Sequence, residues 1–176
     1  MHLPRCQPIP RLPPRVEADQ AMCADPATGQ IHSQLDNDGL AEFLSGLVEA
    51  SRPVIRDWFR SGGTVEWKSD ASPVTRADKA AETALRAAIA DRFPDDAILG
   101  EEHADQLGTG KTGYSWIIDP IDGTRAFVSG RPVFGTLVGL VFENRPVAGL
   151  IDMPMLDECY VAVGGTTLLN GAVIST

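Results

Sequence analysis

Two aspartates three residues apart are the first feature of this sequence that could do chemistry. Asp119 directly follows the apolar residues 114–118, and Pro120 then fixes its own φ and lacks an N–H, so the strand should be interrupted there. Asp122 comes next, and Gly123 allows a ligand to approach the backbone closely. Two neighbouring carboxylates repel each other, and a hard divalent cation bound through oxygen atoms relieves that repulsion. The pattern therefore predicts a cation site.

A helix that starts beside this pair could receive an anion. Thr124 can cap a helix beginning at Arg125, and the first N–H groups of a helix suit a phosphate. Oxygen ligands without His or Cys favour Mg²⁺, with Mn²⁺ as the alternative, over zinc. A lone Asp-Pro or Asp-Gly pair usually makes only a turn. Turn chemistry, however, does not require both aspartates, the proline and the threonine at these offsets.

Two further polar segments could contribute to the same site. Glu101 and Glu102 follow the apolar residues 97–99, so Glu101 is expected at a strand end, on a rim that it can share with Asp119. Residues 68–78 form a second polar segment just before a predicted helix. Each has an ordinary explanation when it is taken alone, because paired glutamates are commonly solvated and a polar loop often precedes a capped helix.

Hydrophobic spacing predicts a first helix that precedes the site. Apolar residues recur at intervals of three and four over residues 40–59, after candidate N-caps at residues 36–38. Pro53 is expected to bend this helix, and the glycine pair at 62–63 is expected to end it.

A second helix and a series of strands follow. The helix is predicted over residues 76–92, with Thr75 and Asp78 spaced as a capping box. Strands are predicted at residues 97–100, 114–118, 134–142, 147–152 and 159–163, with a further turn at 170–171. Short turns between consecutive strands favour an antiparallel meander. The fold class is therefore α+β, with two N-terminal helices packed on a largely antiparallel sheet.

Composition excludes several classes of protein. The 176 residues are 43% hydrophobic and 22% charged, a globular balance, and the net charge of -9 argues against a nucleic-acid binder. The longest apolar run, residues 133–142, is too short to span a bilayer. Three cysteines without a CxxC motif indicate a reducing cytoplasm rather than disulfides or a zinc site. Residues 1–36 are rich in proline and lack periodicity, so we expect a disordered tail.

In this order, the three polar segments resemble motifs of the inositol monophosphatase superfamily of metal-dependent, lithium-sensitive phosphatases. The resemblance covers residues 40–176, and its most specific part is residues 116–127. It implies that residues 37–176 form the N-terminal α+β domain of that fold, incomplete at its C-terminal end. The C-terminal α/β domain of the family is expected to be absent from this chain.

The resemblance also implies roles for the acidic residues. Glu101, Asp119 and the backbone carbonyl of Ile121 would hold one metal ion. Asp119 and Asp122 would contribute to a second metal ion, and Glu101 would help with a weaker third. Glu101 and Asp122 would also contact the substrate.

The resemblance also implies which residues would bind the phosphate and which would act on the attacking water. Gly123 and Thr124 would receive the phosphate through backbone N–H groups and the Thr124 hydroxyl. Asp78, hydrogen-bonded to Thr124, would help to polarise the attacking water. Lys68 would lie near the substrate.

The implied reaction is in-line attack by metal-activated water on phosphorus, without a phosphoenzyme. Residues 125–127 are Arg-Ala-Phe, whereas the inositol-type signature usually has Asn-Phe at the last two of these positions. The stretch of residues 124–137 resembles the histidinol-phosphate phosphatase branch, which acts in histidine biosynthesis. An inositol-1-phosphate or broad sugar phosphatase is the first alternative. A truncated metal-binding remnant with little or no activity is the second, because the chain ends before the family's Trp-Asp motif. The expected partners are a small phosphorylated metabolite and, in the full-length family, a second copy in a homodimer.

Overall fold

The computed structural model describes residue 32 and residues 34–61, 65–67 and 73–175, and for residues 65–67 and 73–74 it describes the backbone alone. The predictions for most of the tail, for the glycine pair at 62–63 and for Lys68 fall outside this part of the chain. None of the helices in the described part is both long and apolar enough to cross a membrane.

The first helix, α1, spans Asn37–Trp58 and begins where the sequence predicts. Asp36 is its N-cap, and the Asp36 carboxylate accepts a backbone N–H of the first turn at 2.8 Å. Pro53 lies inside the helix. The helix ends before the predicted glycine pair, because Arg60 itself adopts the left-handed conformation, with φ 60°, that was expected of a glycine.

The second helix, α2, spans Arg76–Arg92 and confirms the predicted capping box. The Asp78 N–H donates to the Thr75 hydroxyl at 3.2 Å, and the Thr75 N–H donates back to the Asp78 carboxylate at 2.8 Å. Two otherwise unpaired donors of the first turn are thereby satisfied. This cap also fixes the place of Asp78 on the side of α2 that faces the rest of the protein, where it is 2% exposed.

Seven strands form the main sheet, in the order in which they follow one another along the chain. They are β3 (Ala97–Gly100), β4 (Tyr114–Asp122), β5 (Gly135–Phe142), β6 (Arg145–Met153), β7 (Glu158–Val163), β8 (Thr166–Leu169) and β9 (Ala172–Ile174). From β4 to β9 every neighbouring pair is antiparallel, as predicted, and only β3 pairs in parallel, with β4. Before α2, the short strands β1 (Val65–Trp67) and β2 (Pro73–Thr75) form a separate antiparallel pair.

Tight turns close the meander where the sequence places them. Glu143 and Asn144, with φ 47° and 65°, connect β5 to β6, and Asn170 and Gly171, with φ 49° and 80°, connect β8 to β9. Positive φ at both central residues gives a twist that matches the strands on either side. From β4 to β9 the strand order then follows the chain order through short connections.

Helices α1 and α2 cover one face of the sheet and form the main core with it. The residues at its centre are fully or almost fully buried: Leu40, Leu44, Leu47, Leu85, Ile89, Ile98, Trp116, Leu140 and Leu150. A smaller second cluster lies under a short third helix, α3 (Thr124–Val128), and includes Ile55, Ile121, Phe127 and Phe134. Burial of these apolar side chains is the dominant favourable contribution to folding.

A buried polar network joins the segment before α1 to the core. His32 Nε2 lies 3.1 Å from the carboxylate of Asp96, and the indole N–H of Trp116 donates to the same oxygen at 2.9 Å. The His32 ring packs 4.4 Å from the ring of Phe93 and 4.2 Å from that of Tyr114. Burial alone would raise the pKa of Asp96, but its hydrogen bonds with His32 and Trp116 lower that pKa below the ordinary value.

The folded part of the chain therefore begins before residue 37, the boundary that the sequence predicts. Residues 32 and 34–36 belong with the domain rather than with the tail predicted for residues 1–36. Sequence patterns miss this contact because His32 and Asp96 are separated by 64 residues and no local periodicity connects them.

We expect the His32→Ala variant to lose about 3 kcal/mol of unfolding free energy, because it leaves the buried Asp96 carboxylate without its imidazole partner. Urea titration followed by tryptophan fluorescence measures the loss. The matched control is His103→Ala, which removes an exposed histidine and should change stability by less than about 0.5 kcal/mol. Equal effects of the two substitutions would contradict the role of the buried pair.

Candidate active site

The parallel pairing of β3 with β4 brings the two acidic segments to one edge of the sheet. Gly100, the last residue of β3, lies opposite Ile118 of β4. The next residue on each strand is acidic, Glu101 on one and Asp119 on the other. Parallel strands end at the same edge, so the shared rim that is predicted for these two residues is present in the structure. Glu101 is exposed there, and Asp119 is partly buried.

A bulge in β4 turns both aspartates of the motif to the same side of the sheet. Asp119 pairs with Leu137, and Asp122 pairs with Gly135, so β4 has one residue more than β5 over this stretch. In a regular strand, residues three apart face opposite sides, and one extra residue restores them to the same side. Pro120 lies in the bulge, where its missing N–H costs no ladder hydrogen bond. Strand β4 continues through Pro120 to Asp122, so the predicted interruption at Pro120 is limited to this shift in register.

Buried hydrogen bonds hold the bulge in this shape. The hydroxyl of Thr136, which is fully buried, donates to the carbonyl oxygen of Pro120 at 2.8 Å. Ile121 is 1% exposed and packs in the smaller apolar cluster. The backbone between the two aspartates is therefore fixed by the protein interior, while the carboxylates stay at the edge.

Negative charge is concentrated around Asp119. The pKa of Asp119 is raised to about 6, most strongly by burial and then by the neighbouring carboxylates. In decreasing order of effect, these carboxylates belong to Glu101, Asp122 and Asp78. A backbone hydrogen bond from Ile121 partly opposes the rise. Three chain segments thus bring their carboxylates within electrostatic range of one aspartate.

Asp78 and Thr124 do not make the hydrogen bond that the resemblance implied. The Thr124 hydroxyl donates to the carbonyl oxygen of Ile121 at 3.2 Å. The Asp78 carboxylate instead accepts from the backbone N–H and the hydroxyl of Thr75. The reason is local, because the capping box of α2 engages Asp78 and the tight turn into α3 brings Thr124 back over Ile121.

Helix α3 begins one residue earlier than predicted. Its N-cap is Gly123, with φ 88° and no side-chain cap hydrogen bond, and Thr124 is its first helical residue rather than its cap. The left-handed conformation at Gly123 is the one that favours glycine. The first N–H groups of this short helix have no partner inside the helix, and they lie directly after Asp122 in the chain.

The donor set at this edge fits a hard divalent cation in its chemistry. Every candidate ligand is an oxygen atom, which Mg²⁺ and Mn²⁺ prefer. The raised pKa of Asp119 reports like charges that a cation would relieve. Among the residues that the structure describes, no three His, Cys, Asp or Glu side chains already converge into a metal-binding cluster. Glu101 and Asp122 are exposed, so rotation of their side chains is the movement that binding would require.

One further acidic residue near the site was not singled out from the sequence. Glu82 in α2 is fully buried, and its carboxylate accepts the backbone N–H of Glu102 at 2.7 Å. The sequence offers one signal for it, since Glu82 and Arg86 have the spacing of an ion pair along a helix. That spacing alone is typical of exposed helix surfaces and does not indicate burial.

Over most of its length the chain is similar to curated proteins that are named as phosphatases. It is 43% identical over 145 residues to the chloroplastic bifunctional phosphatase IMPL2 of Arabidopsis thaliana. The matched region covers 82% of this chain and 42% of that protein. It is also 41% identical over 130 residues to a histidinol-phosphatase of Chlorobaculum parvum, and this match covers 73% of this chain and 49% of that protein. The chain thus spans about half the length of the curated relatives it matches.

A solved structure shows the same arrangement of helices and strands. An inositol monophosphatase from Zymomonas mobilis superposes with a TM-score of 0.65 at 40% identity, covering 81% of this chain and 54% of that one. The α+β fold class expected from the sequence is confirmed.

The raised pKa of Asp119 predicts a specific dependence of stability on pH. Without metal, the folded state favours protonated Asp119, so this contribution to stability is fully present below the ordinary pKa of 3.8 and is lost as the pH rises through about 6. We expect Asp119→Asn to melt at a higher temperature than the wild type at pH 7 in the presence of EDTA, with the difference shrinking toward pH 4. Asp105→Asn, at an exposed position, is the control. A difference between wild type and Asp119→Asn that does not vary with pH would contradict the assignment.

These resemblances agree with a comparison to protein-family models. The model of the inositol monophosphatase family matches residues 36–176, which include helices α1 to α3, the seven-stranded sheet and the acidic edge. The chain therefore belongs to the inositol monophosphatase family.

Proposed function

We propose that this chain forms the metal- and phosphate-binding part of a Mg²⁺-dependent phosphomonoester hydrolase, with histidinol phosphate as its substrate. The observation that carries the proposal is the concentration of carboxylates around Asp119, at the end of two parallel strands and directly before a helix start. Unrelieved negative charge next to free backbone N–H groups suits a cation and a phosphate together.

Different residues of the chain would hold the two cations. Glu101, Asp119 and the carbonyl of Ile121 would hold one cation, and Asp122 would join Asp119 at a second. Mg²⁺, or Mn²⁺ in its place, supplies Lewis acidity toward water and toward the phosphoryl oxygens when it is bound. The buried backbone of the bulge keeps Asp119 and Asp122 on one side of the sheet, so their carboxylates can act on the same ligand.

The phosphate and the attacking water would be handled at the start of α3. Gly123 and Thr124 would bind phosphate oxygens through their N–H groups, and the Thr124 hydroxyl would turn from Ile121 toward the phosphate. Asp78 is held rigidly by Thr75 within electrostatic range of Asp119, a suitable place from which to orient a water molecule. The proposed role of Lys68 concerns a residue outside the described part of the chain.

Two considerations support histidinol phosphate over inositol 1-phosphate. A relative with 41% identity is named a histidinol-phosphatase. Ala126 stands where the inositol-type signature usually has Asn before the Phe, and residues 124–137 resemble the histidinol-phosphate phosphatase branch. An inositol-phosphate or sugar-phosphate hydrolase remains the second candidate, supported by the family and by the 40% identical inositol monophosphatase. A homodimer in the cytoplasm, acting on a small phosphorylated metabolite, completes the proposal.

Phosphate release from histidinol phosphate and from inositol 1-phosphate, each with Mg²⁺, tests the proposal on this chain. We expect faster release from histidinol phosphate, and we expect Asp119→Asn to reduce the rate by at least about 100-fold because it removes a carboxylate ligand. The exposed control Asp105→Asn should keep the wild-type rate. Faster release from inositol 1-phosphate would select the second candidate. Measurable Mg²⁺ binding without release from either substrate would identify a metal-binding remnant.

A further inference from the structure

A fully buried glutamate lies beneath the segment that carries Glu101. Glu82 sits in the second turn of α2, with no exposed surface. One of its carboxylate oxygens, Oε2, accepts the backbone N–H of Glu102 at 2.7 Å. The other, Oε1, accepts from Nε of Arg86 at 2.7 Å. Burial of a carboxylate is costly unless each oxygen is hydrogen-bonded, and here both are.

The same pair of side chains also contacts the chain before Glu101. Arg86 donates to the carbonyl oxygen of Ile98 at 3.3 Å and to that of His103 at 3.4 Å. At Gly100 the backbone passes so close to Glu82 that an added Cβ would lie 2.0 Å from Oε1. Glu82 and Arg86 together therefore contact the end of β3 on one side of Glu101 and the loop on the other side.

We propose that Glu82 is a positioning residue that fixes the backbone on both sides of Glu101 and so holds the Glu101 carboxylate beside Asp119 for cation binding. The inference rests on the proposed function, because it assigns Glu82 a role through a proposed metal ligand. An ion pair that served only the helix would need no contact with residues 98–103, whereas Glu82 and Arg86 together contact the backbone at both ends of this segment.

Two substitutions disturb the contact in different ways. In Glu82→Gln one carboxylate oxygen becomes an NH₂ group, so either the Glu102 N–H or the Arg86 Nε–H must face a donor. This variant also removes one negative charge near the site. Gly100→Ala keeps every charge, but its methyl group would displace the buried carboxylate. A shared effect of both variants therefore reports position rather than charge.

The matched control is Asp96→Asn, which alters a different buried acid, located directly before β3. Asp96 lies just before β3 and Glu101 just after it, roughly 16 Å apart in an extended chain. Like Glu82, Asp96 is fully buried and bonded to a basic side chain, so its replacement should also destabilise the fold. It does not contact the segment that carries Glu101.

The experiment measures Mg²⁺ affinity by titration calorimetry and the exchange protection of the Glu102 amide by NMR without metal. We expect Glu82→Gln and Gly100→Ala each to weaken Mg²⁺ binding by about 10-fold or more and to lose the protection of Glu102, while core amides stay protected. Asp96→Asn should keep both the affinity and the protection of Glu102.

The possible results separate this inference from the proposed function. If the wild type binds Mg²⁺ and Glu82→Gln and Gly100→Ala bind it equally well, the positioning role is overturned and the hydrolase proposal stands. Weaker binding in Glu82→Gln alone also overturns the role, since charge then accounts for the effect. A wild type that does not bind Mg²⁺ would overturn the metal site itself, together with any role of Glu82 in it. Equal weakening in the Asp96→Asn control would show that loss of stability, and not position, causes the change.

Discussion

The candidate site depends on the parallel pairing of β3 with β4, the one parallel pair in an otherwise antiparallel sheet. Because the two strands run in the same direction, Glu101 and Asp119 leave the sheet at one edge. If β3 ran the other way, Glu101 would lie at the far end of the strand, roughly 13 Å from Asp119. The position of β3 therefore decides whether the acidic segments can act together, and the helices, the bulge and the buried Glu82 then adjust their geometry.

The buried supporting carboxylates and the carboxylates of the candidate site have different surroundings. Glu82 and Asp152, both fully buried, are each paired with an arginine, Arg86 and Arg52, that offsets their charge. The charges that act on Asp119 are, by contrast, those of other carboxylates. Such a concentration of like charge destabilises the folded chain, and the arginine-paired acids elsewhere stabilise the surrounding structure. The same contrast distinguishes acids that hold the fold from acids available for binding.

Local patterns were sufficient to predict much of this architecture. The capping box at Thr75, the range of α2 and the turn at Asn170 follow from short-range preferences, and the structure has each of them as predicted. The motif from Asp119 to Thr124 predicts a cation and phosphate site because a simple turn does not require this combination of residue types and spacing. Contacts between distant segments could not be predicted in this way. The pairing of His32 with Asp96 spans 64 residues, and the burial of Glu82 depends on how α2 lies against β3.

Where prediction failed locally, another residue took over the expected role. Arg60 adopts the left-handed backbone expected of the glycines that follow it, and Gly123 replaces Thr124 as the cap of α3. Both differences concern the ends of helices, where several neighbouring residues can satisfy the same backbone requirement. Propensity alone does not decide which of them does so.

The extra residue in β4 makes the length of the motif as important as its composition. Asp119 and Asp122 face the same side only because the bulge adds one residue between their partners on β5. Loss or gain of a single residue there would turn one aspartate toward the helix-covered face, among apolar side chains such as Ile118 and Trp116. A substitution in this stretch can alter the geometry of the two carboxylates slightly, whereas a change of length moves one of them to the other side of the sheet. Among functional variants of this sequence, insertions and deletions should therefore be rarer than substitutions in this stretch.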